Sequence, residues 1–378
     1  MSQTKVEAPF VDNNNVRFKN LIINGDMQIA QRTASATASG GDSIAYTTLD
    51  RFGFTNSLNG GYTSAQTALS AADQATTGQV KTLDIQCTTA DTSILAADYA
   101  AVQQKIEAQN CQHLLWGTSA AKKLTVSFYI KSNLTGTTCG TILKNDSTTY
   151  YYPFEFTINS ANTWEKKSVV IEPDSNIQSS AGAIVNDNGV GLQLFINLAL
   201  GSNLTGGTNR TWNTSEKYAT SNQLNFLSST DNDLFLTGVQ LEVGDQATDF
   251  EYLPHDVQLQ RCQRYYQRLT GAYVQYGQIL NGHYNGASQL QGVYTYPVKM
   301  RTGPTLVHST TSSNNSASAY AIAAAGGVDY IDSLLLYNPN DHATLIYTAG
   351  GTASGTSGNA GNLYVQANVT EAALTAEL

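Results

Sequence analysis

The chain has 378 residues, enough for two domains that each bury a core, and carries a net charge of −9 from 20 basic and 29 acidic residues. Its Lys and Arg never run longer than two in succession, which argues against a phosphate-neutralising, nucleic-acid-binding surface. No segment approaches the roughly 18 apolar residues of a membrane span, and the start MSQTKVEAPFVDNNN has no signal-peptide pattern, so synthesis in a cytoplasm without membrane insertion is expected.

Only 13% of the residues are charged, while 31 are Gly and 21 are Tyr. Exposed-helix formers are therefore scarce and sheet formers plentiful, which predicts an all-β protein. The four cysteines, Cys87, Cys111, Cys139 and Cys262, show no CxxC spacing. They predict neither a zinc site nor a disulfide framework but small, buried, reduced side chains, and no cofactor is expected.

In chain order, residues 1–19 are polar and without sustained period, an extension expected to need a partner. Alternating runs then begin. TLDIQC turns Leu83, Ile85 and Cys87 inward, KLTVSFYIK turns Leu124, Val126, Phe128 and Ile130 inward, and GLQLFINLAL does the same with Leu192, Leu194, Ile196, Leu198 and Leu200. In LFLTGVQLEV the alternation predicts Phe235, Val239, Leu241 and Val243 inward. Residues 94–116 read as a strand followed by a short helix, with one long helix as the alternative. Asn/Gly/Asp turn clusters separate these runs, and together they predict a jelly-roll β-sandwich over residues 20–254.

After Pro254, DVQLQRCQRYYQRL has helical spacing and a face of Leu259, Cys262, Tyr266 and Leu269. This predicts a short linker helix within 255–270 whose apolar face gathers chains into an oligomer. Residues 271–378 then read as a smaller C-terminal β-domain, with strands expected near 273–279, 290–297, 305–308, 319–324, 331–337, 343–347 and 363–368. The tract 348–362, TAGGTASGTSGNAGN, is expected to be a flexible surface loop.

Little in the chain suggests catalysis. The five histidines are scattered and no HExxH, GxSxG or P-loop spacing occurs. The carboxylate pairs Asp231/Asp233 and Glu242/Asp245 read as solvated groups on turns and on a wet strand face, so neither glycan hydrolysis nor a metal site is expected. Sugar binding suits the composition better, because aromatic faces stack on pyranose rings. The candidates are Tyr150, Tyr151, Tyr152 and Trp212. The run YYYPFEF also reads as a strand with Tyr150 and Tyr152 on one face, and Trp164 reads as a core anchor.

NLIINGDMQIAQR, TLDRFGF, QQKIEAQN, AKKLTVSFYIKSN, NTWEKKSVVI, GLQLFINLALGS and TGVQLEVGDQATDFEYL followed by CQRYY, in this order, resemble the virion fibre proteins of tailed bacteriophages, notably those of marine phages. The ending TAEL resembles their termini. The resemblance implies a carbohydrate-binding-module-like jelly roll on a phage appendage, assembled as a homotrimer. It also implies docking to other virion proteins through residues 1–19, with the C-terminal domain as a distal tip facing host surface glycans. A head fibre or capsid decoration protein is the alternative, and a glycan depolymerase the second. It further implies that the NGD loop lies near GVQLE, and in related modules a structural calcium sits there; Gly238, where an acidic ligand is wanted, speaks against the metal.

Overall fold

The computed structural model describes residues 19–33, 35–269, 277–308, 318–349, 353–366 and 372–378, without the side chains of 37–43. The extension expected over residues 1–19 lies outside the described residues except for Lys19, as does most of the strand expected at 273–279.

Ten strands build the first part of the chain: β1 (Ser35–Ala45), β2 (Gly53–Ala68), β3 (Lys81–Thr89), β4 (Tyr99–Glu107), β5 (Leu124–Ser132), β6 (Gly136–Lys144), β7 (Tyr150–Ile158), β8 (Glu165–Ile171), β9 (Val190–Leu200) and β10 (Asp233–Val243). They hydrogen-bond in the order β7-β6-β9-β4-β2-β3-β10-β5-β8, with β1 added to β2. The 16-residue β2 carries the sheet around its corner, pairing with β4 through Gly53–Asn56 and with β3 through Gly61–Ala68. The sheet thereby folds over itself and β7 comes to lie against β5 and β8. The result is the expected all-β jelly roll: one layer of β7-β6-β9-β4 faces another of β3-β10-β5-β8.

Alternation explains most of the core. Leu124, Val126, Phe128 and Ile130 are buried between the layers, as are Leu83, Ile85 and Cys87 from β3 and Leu192, Leu194, Ile196 and Leu198 from β9. Past an irregularity in β9, Leu200 instead packs with Cys139, Leu204 and Ala219. The segment 94–116 forms strand β4 and then a 3₁₀ turn over Ala108–Leu114, in the expected order. All four cysteines are free and buried.

In β10 the simple alternation fails. Thr237 opposes Tyr129 and Gln240 opposes Ser127, so two residues, Gly238 and Val239, face one on β5. This is a β-bulge with glycine in the left-handed region at φ +60°. The bulge changes the phase of the strand. Leu234 and Leu236 are inward before it and Val239 and Leu241 after it, while Phe235 lies on the outside against Trp164, 6.4 Å between centroids. Trp164 is buried there, under the sheet's outer surface and away from the main core. The bulge also offers a free edge to the NGD loop: Val239 N–H donates to Gly25 O (2.9 Å) and Asn20 Nδ2 donates to Val239 O (3.1 Å). Gly25 is required, since a Cβ would lie 2.0 Å from Val239 O. The proximity of NGD and GVQLE is thus present.

The helix runs over His255–Gln263 and is followed by β11 (Tyr266–Arg268), β12 (Gln278–Tyr284), β13 (Leu290–Thr295), β14 (Thr305–His308), β15 (Tyr320–Ala324), β16 (Gly327–Ile331), β17 (Ser333–Tyr337), β18 (Ala343–Ala349), β19 (Ala360–Val365) and β20 (Ala372–Thr375). Strands β16-β15-β19-β12-β13-β18-β17 form one antiparallel sheet, and β11-β20-β14 a smaller one. They enclose a second core around Tyr284, Leu290, Met300, Tyr320, Ile322, Ile346 and Leu374. Where it is described, the glycine-rich tract is pinned: Ser354 donates twice to Asp329 and Gly355 N–H donates to Ala287 O.

The residues expected to gather chains are covered by their own chain. Cys262 and the partly buried Leu259 pack with Ile23, Ile29 and Leu378. Tyr266 is 1% exposed beneath the Arg32 guanidinium, and Leu269 belongs to the second core. The apolar stripe was legible; its cover is intramolecular, because β20 and the 376–378 segment return to the helix.

Candidate functional site

On the layer β7-β6-β9-β4, residues that alternate with the core face outward and meet in cross-strand rows. Lys105, Gln193, Leu143 and Tyr151 form one row across four strands, and Gln103, Phe195 and Thr141 the next. Tyr218, from the loop after β9, closes over them with edge-to-face contacts to Tyr151 and Phe195, both at 5.2 Å. Tyr46 and Leu378 form the opposite wall. Between them lies a groove of about 620 Å³.

Its polar groups are amides, phenols, the Thr149 hydroxyl, the Leu378 backbone oxygen and one amine. Gln193 Nε2 donates to Asn145 Oδ1 (2.6 Å) and Lys105 Nζ donates to Leu378 O (2.8 Å). Gln103 is 3% exposed, yet its Oε1 has no hydrogen-bond partner. A buried amide oxygen without a donor costs about 1–3 kcal/mol, a cost that a ligand hydroxyl reaching it would relieve. Burial pushes the Tyr151 and Tyr218 hydroxyls up and Tyr46 to about 12, so all three stay protonated at neutral pH; Tyr46 already donates to Leu378 O (3.4 Å), and Tyr151 and Tyr218 hydrogen-bond each other. Burial, then the nearby Arg51 and Arg301, hold Lys105 below its usual value.

Of the sequence-based candidates, Tyr151 alone faces this groove. Tyr150, Tyr152 and Trp212 are core residues, 6%, 2% and 3% exposed. Trp212 stacks edge-on against Trp116 (5.3 Å), touches Tyr152 (4.8 Å) and donates from Nε1 to Glu172 O. The strand reading of YYYPFEF therefore holds: Tyr150 and Tyr152 share the inward face. Phe195, Tyr218, Gln103 and Gln193 were missed; the outward set of GLQLFINLAL carried the signal for two of them.

In each carboxylate pair one member is engaged by its own chain. Asp233 accepts the Asn133 N–H, and Glu242, expected on a wet face, is 2% exposed because the segment 245–252 folds over it and Thr248 donates to both its oxygens. Of the Asn24 and Asp26 side-chain oxygens in the NGD loop only Asp26 Oδ1 lacks a donor, too few free ligands for a calcium ion. Asn24 Oδ1 accepts from Ile29 N–H while its amide donates to Ile29 O and Asp50 O. Asp26 Oδ2 is held by the amide groups of Gln28 and Gln258, donors that a cation would repel. Among the described residues no group of three or more His, Cys, Asp or Glu could hold a metal.

No protein-family model matches the chain, and no curated protein matches it. Solved structures similar to it include a proposed sugar-binding protein from Bacteroides thetaiotaomicron VPI-5482, at 15% identity and TM-score 0.33, over 60% of this chain and 100% of that one. Another is the enzymatically active domain of bacteriophage CBA120 tailspike protein 4, at 11% identity and TM-score 0.29, over 60% of this chain and 22% of that one. A third is the family 11 carbohydrate-binding module from Clostridium thermocellum in complex with a mixed-linked tetrasaccharide, at 11% identity and TM-score 0.27, over 56% of this chain and 100% of that one.

Proposed function

We propose that this protein is a non-catalytic, glycan-binding structural subunit of a tailed-phage particle, a tail fibre that attaches to host surface glycans through the groove at Tyr151, Phe195 and Tyr218. The unpartnered Gln103 Oε1 at the base of an aromatic groove carries this reading. Aromatic faces suit the C–H face of a pyranose, and the surrounding amides and phenols suit its hydroxyls. The side chains that line the groove are mainly aromatic rings, amides and hydroxyls, the groups that sugar binding uses. The virion assignment is supported by the sequence resemblance, and residues 1–19 are assigned to docking on the particle.

Assembly as a homotrimer belongs to the same reading, with a different surface from the helix. On the outer face of the seven-stranded sheet Val293 opposes Leu345, which opposes Tyr337, and beside them Leu335 opposes Tyr347. Val293, Leu335 and Tyr337 are 65%, 53% and 52% exposed. Contiguous apolar surface of this kind is unusual on a monomer and supports self-association. Light scattering on the purified protein tests it, and a monomer at micromolar concentration overturns it.

A glycan array of bacterial surface polysaccharides tests the binding. Tyr151→Ala and Gln103→Ala should each abolish signals that the parent protein gives, and signals unchanged in both variants overturn the groove. Antibody against residues 271–378, imaged on intact virions, should decorate the tail; decoration of the head would instead favour the capsid-fibre alternative.

A further inference from the structure

We infer that the jelly roll carries a second saccharide-binding site on its other layer, built around the bulge at Gly238. The outward residues of β5, Ser127 and Tyr129, form its floor beside Gly238, and the cavity above them measures about 450 Å³. One wall is the end of the helix Ala71–Thr77 with Gly78; the other is the segment 248–252. The walls are joined by Tyr252, whose hydroxyl donates to Gly78 O (2.8 Å) and accepts from Gln79 Nε2 (3.3 Å).

Three features give the cavity a binding chemistry. The first is its aromatic lining: Tyr252 is 59% exposed, meets Phe250 edge-to-face at 5.2 Å, and both border the same space as Tyr129. An exposed ring held in place by hydrogen bonds at its far end is preorganised, which limits the entropy lost when a sugar stacks on it. The second is the glycine. A Cβ at position 238 would lie 3.2 Å from Tyr129 Cδ2 and 3.4 Å from Gln79 Nε2, so the bulge keeps the floor open as well as turning the strand. The third is the rim, where Lys166 and Asp249 supply opposite charges. With one charge of each sign the lining carries no net charge, which suits a neutral saccharide better than an anion.

The two sites lie on the outer faces of opposed layers, so one short saccharide cannot reach both. A single chain would then hold two separate glycans, and the gain on a polyvalent surface comes from effective concentration without any new contact. This inference does not need the groove at Tyr151 to bind anything.

The test is saturation-transfer NMR and calorimetry on the full chain with cellotriose, maltotriose, chitotriose and β-1,4-galactotriose, each up to about 10 mM, a range that captures the weak binding expected of a shallow site. At least one trisaccharide should bind, and Tyr252→Ala and Phe250→Ala should each weaken it by about tenfold or more. Gly238→Ala should do the same where thermal unfolding shows it folded; where it does not fold, the two aromatic variants decide. Tyr151→Ala should leave this binding in place. Absence of binding by all four saccharides overturns the second site, as does binding that survives both aromatic variants or disappears with Tyr151→Ala.

Discussion

The guanidinium of Arg51 lies 3.5 Å above the ring of Tyr265, joining the corner before β2 to the end of the helix that leads into the second core. Arg51 is fully buried. It also meets the Glu377 carboxylate and donates from Nη2 to Lys105 O (2.7 Å). Around it, Arg32 pairs with Glu377 (3.0 Å) and Glu107 is gripped by Arg264 through two bonds of 2.6 and 2.8 Å and by the Tyr265 hydroxyl. The junction between the two cores is thus a desolvated ion network and not a free hinge.

Removing one member of a buried ion pair leaves the other charge uncompensated, at a cost of about 3–5 kcal/mol. Arg51→Met should therefore lower stability by that order in urea unfolding. It should also broaden the transition, because Glu377 would then be tied to the jelly roll through Arg32 alone. A single transition at the parent midpoint would show that the network does not couple the cores.

Trp212 separates a core role from a binding role. Trp212→Ala should cost about 3–5 kcal/mol through the cavity left against Trp116 and Tyr152. Trp212→Phe should retain glycan binding at temperatures where the fold persists. Thermal unfolding beside array binding checks both, and loss of binding in a fully folded Trp212→Phe would return this residue to the site.

Lys144 is fully buried and its ammonium donates to the carbonyls of Asp146, Thr148 and Ala181. Lys144→Met keeps most of the unbranched side chain but leaves these acceptors unmatched, at about 1–3 kcal/mol for each that finds no water. The loss should appear as faster hydrogen exchange in residues 145–149 and 180–184, with the remote sheet unchanged.

Glu165 predicts a segment of the acid-unfolding curve. Burial opposes its charge, but the hydrogen bonds from Lys167, the Ser160 N–H and both nitrogens of Asn159 outweigh that and hold the carboxyl down to about 2. The folded value lies below the ordinary 4.5, so the stabilisation is complete above about pH 4.5 and is lost as pH falls towards 2. Glu165→Gln should flatten the dependence of melting temperature on pH in that window; an unchanged slope would refute the assignment.

Much of the architecture was legible because a half-buried strand writes its two faces into the sequence. The inward faces of β3, β5 and most of β9, the order of strand and short helix in 94–116, and the second β-region after the helix all follow from period and turn chemistry. β10 did not read correctly, since a bulge is invisible to strict alternation and Gly238 was its only mark. The groove was legible only in part. Tyr151 was singled out with its neighbours Tyr150 and Tyr152, but strand pleating sends those two inward, and nothing local announces that Tyr218, some 70 residues away in sequence, closes over it.

By itself the sequence determined the all-β class and the identity of most of the buried alternating faces, because these depend on local propensity and on a period of two. Only the tertiary structure decided which surfaces stay open. The apolar side of the helix at Leu259 and Cys262 is covered because a segment more than 100 residues later returns to it, whereas Tyr151, Phe195 and Gln103 gather into a groove because three antiparallel registers align them. Contacts of that separation are set by strand pairing and chain return, which no local pattern encodes.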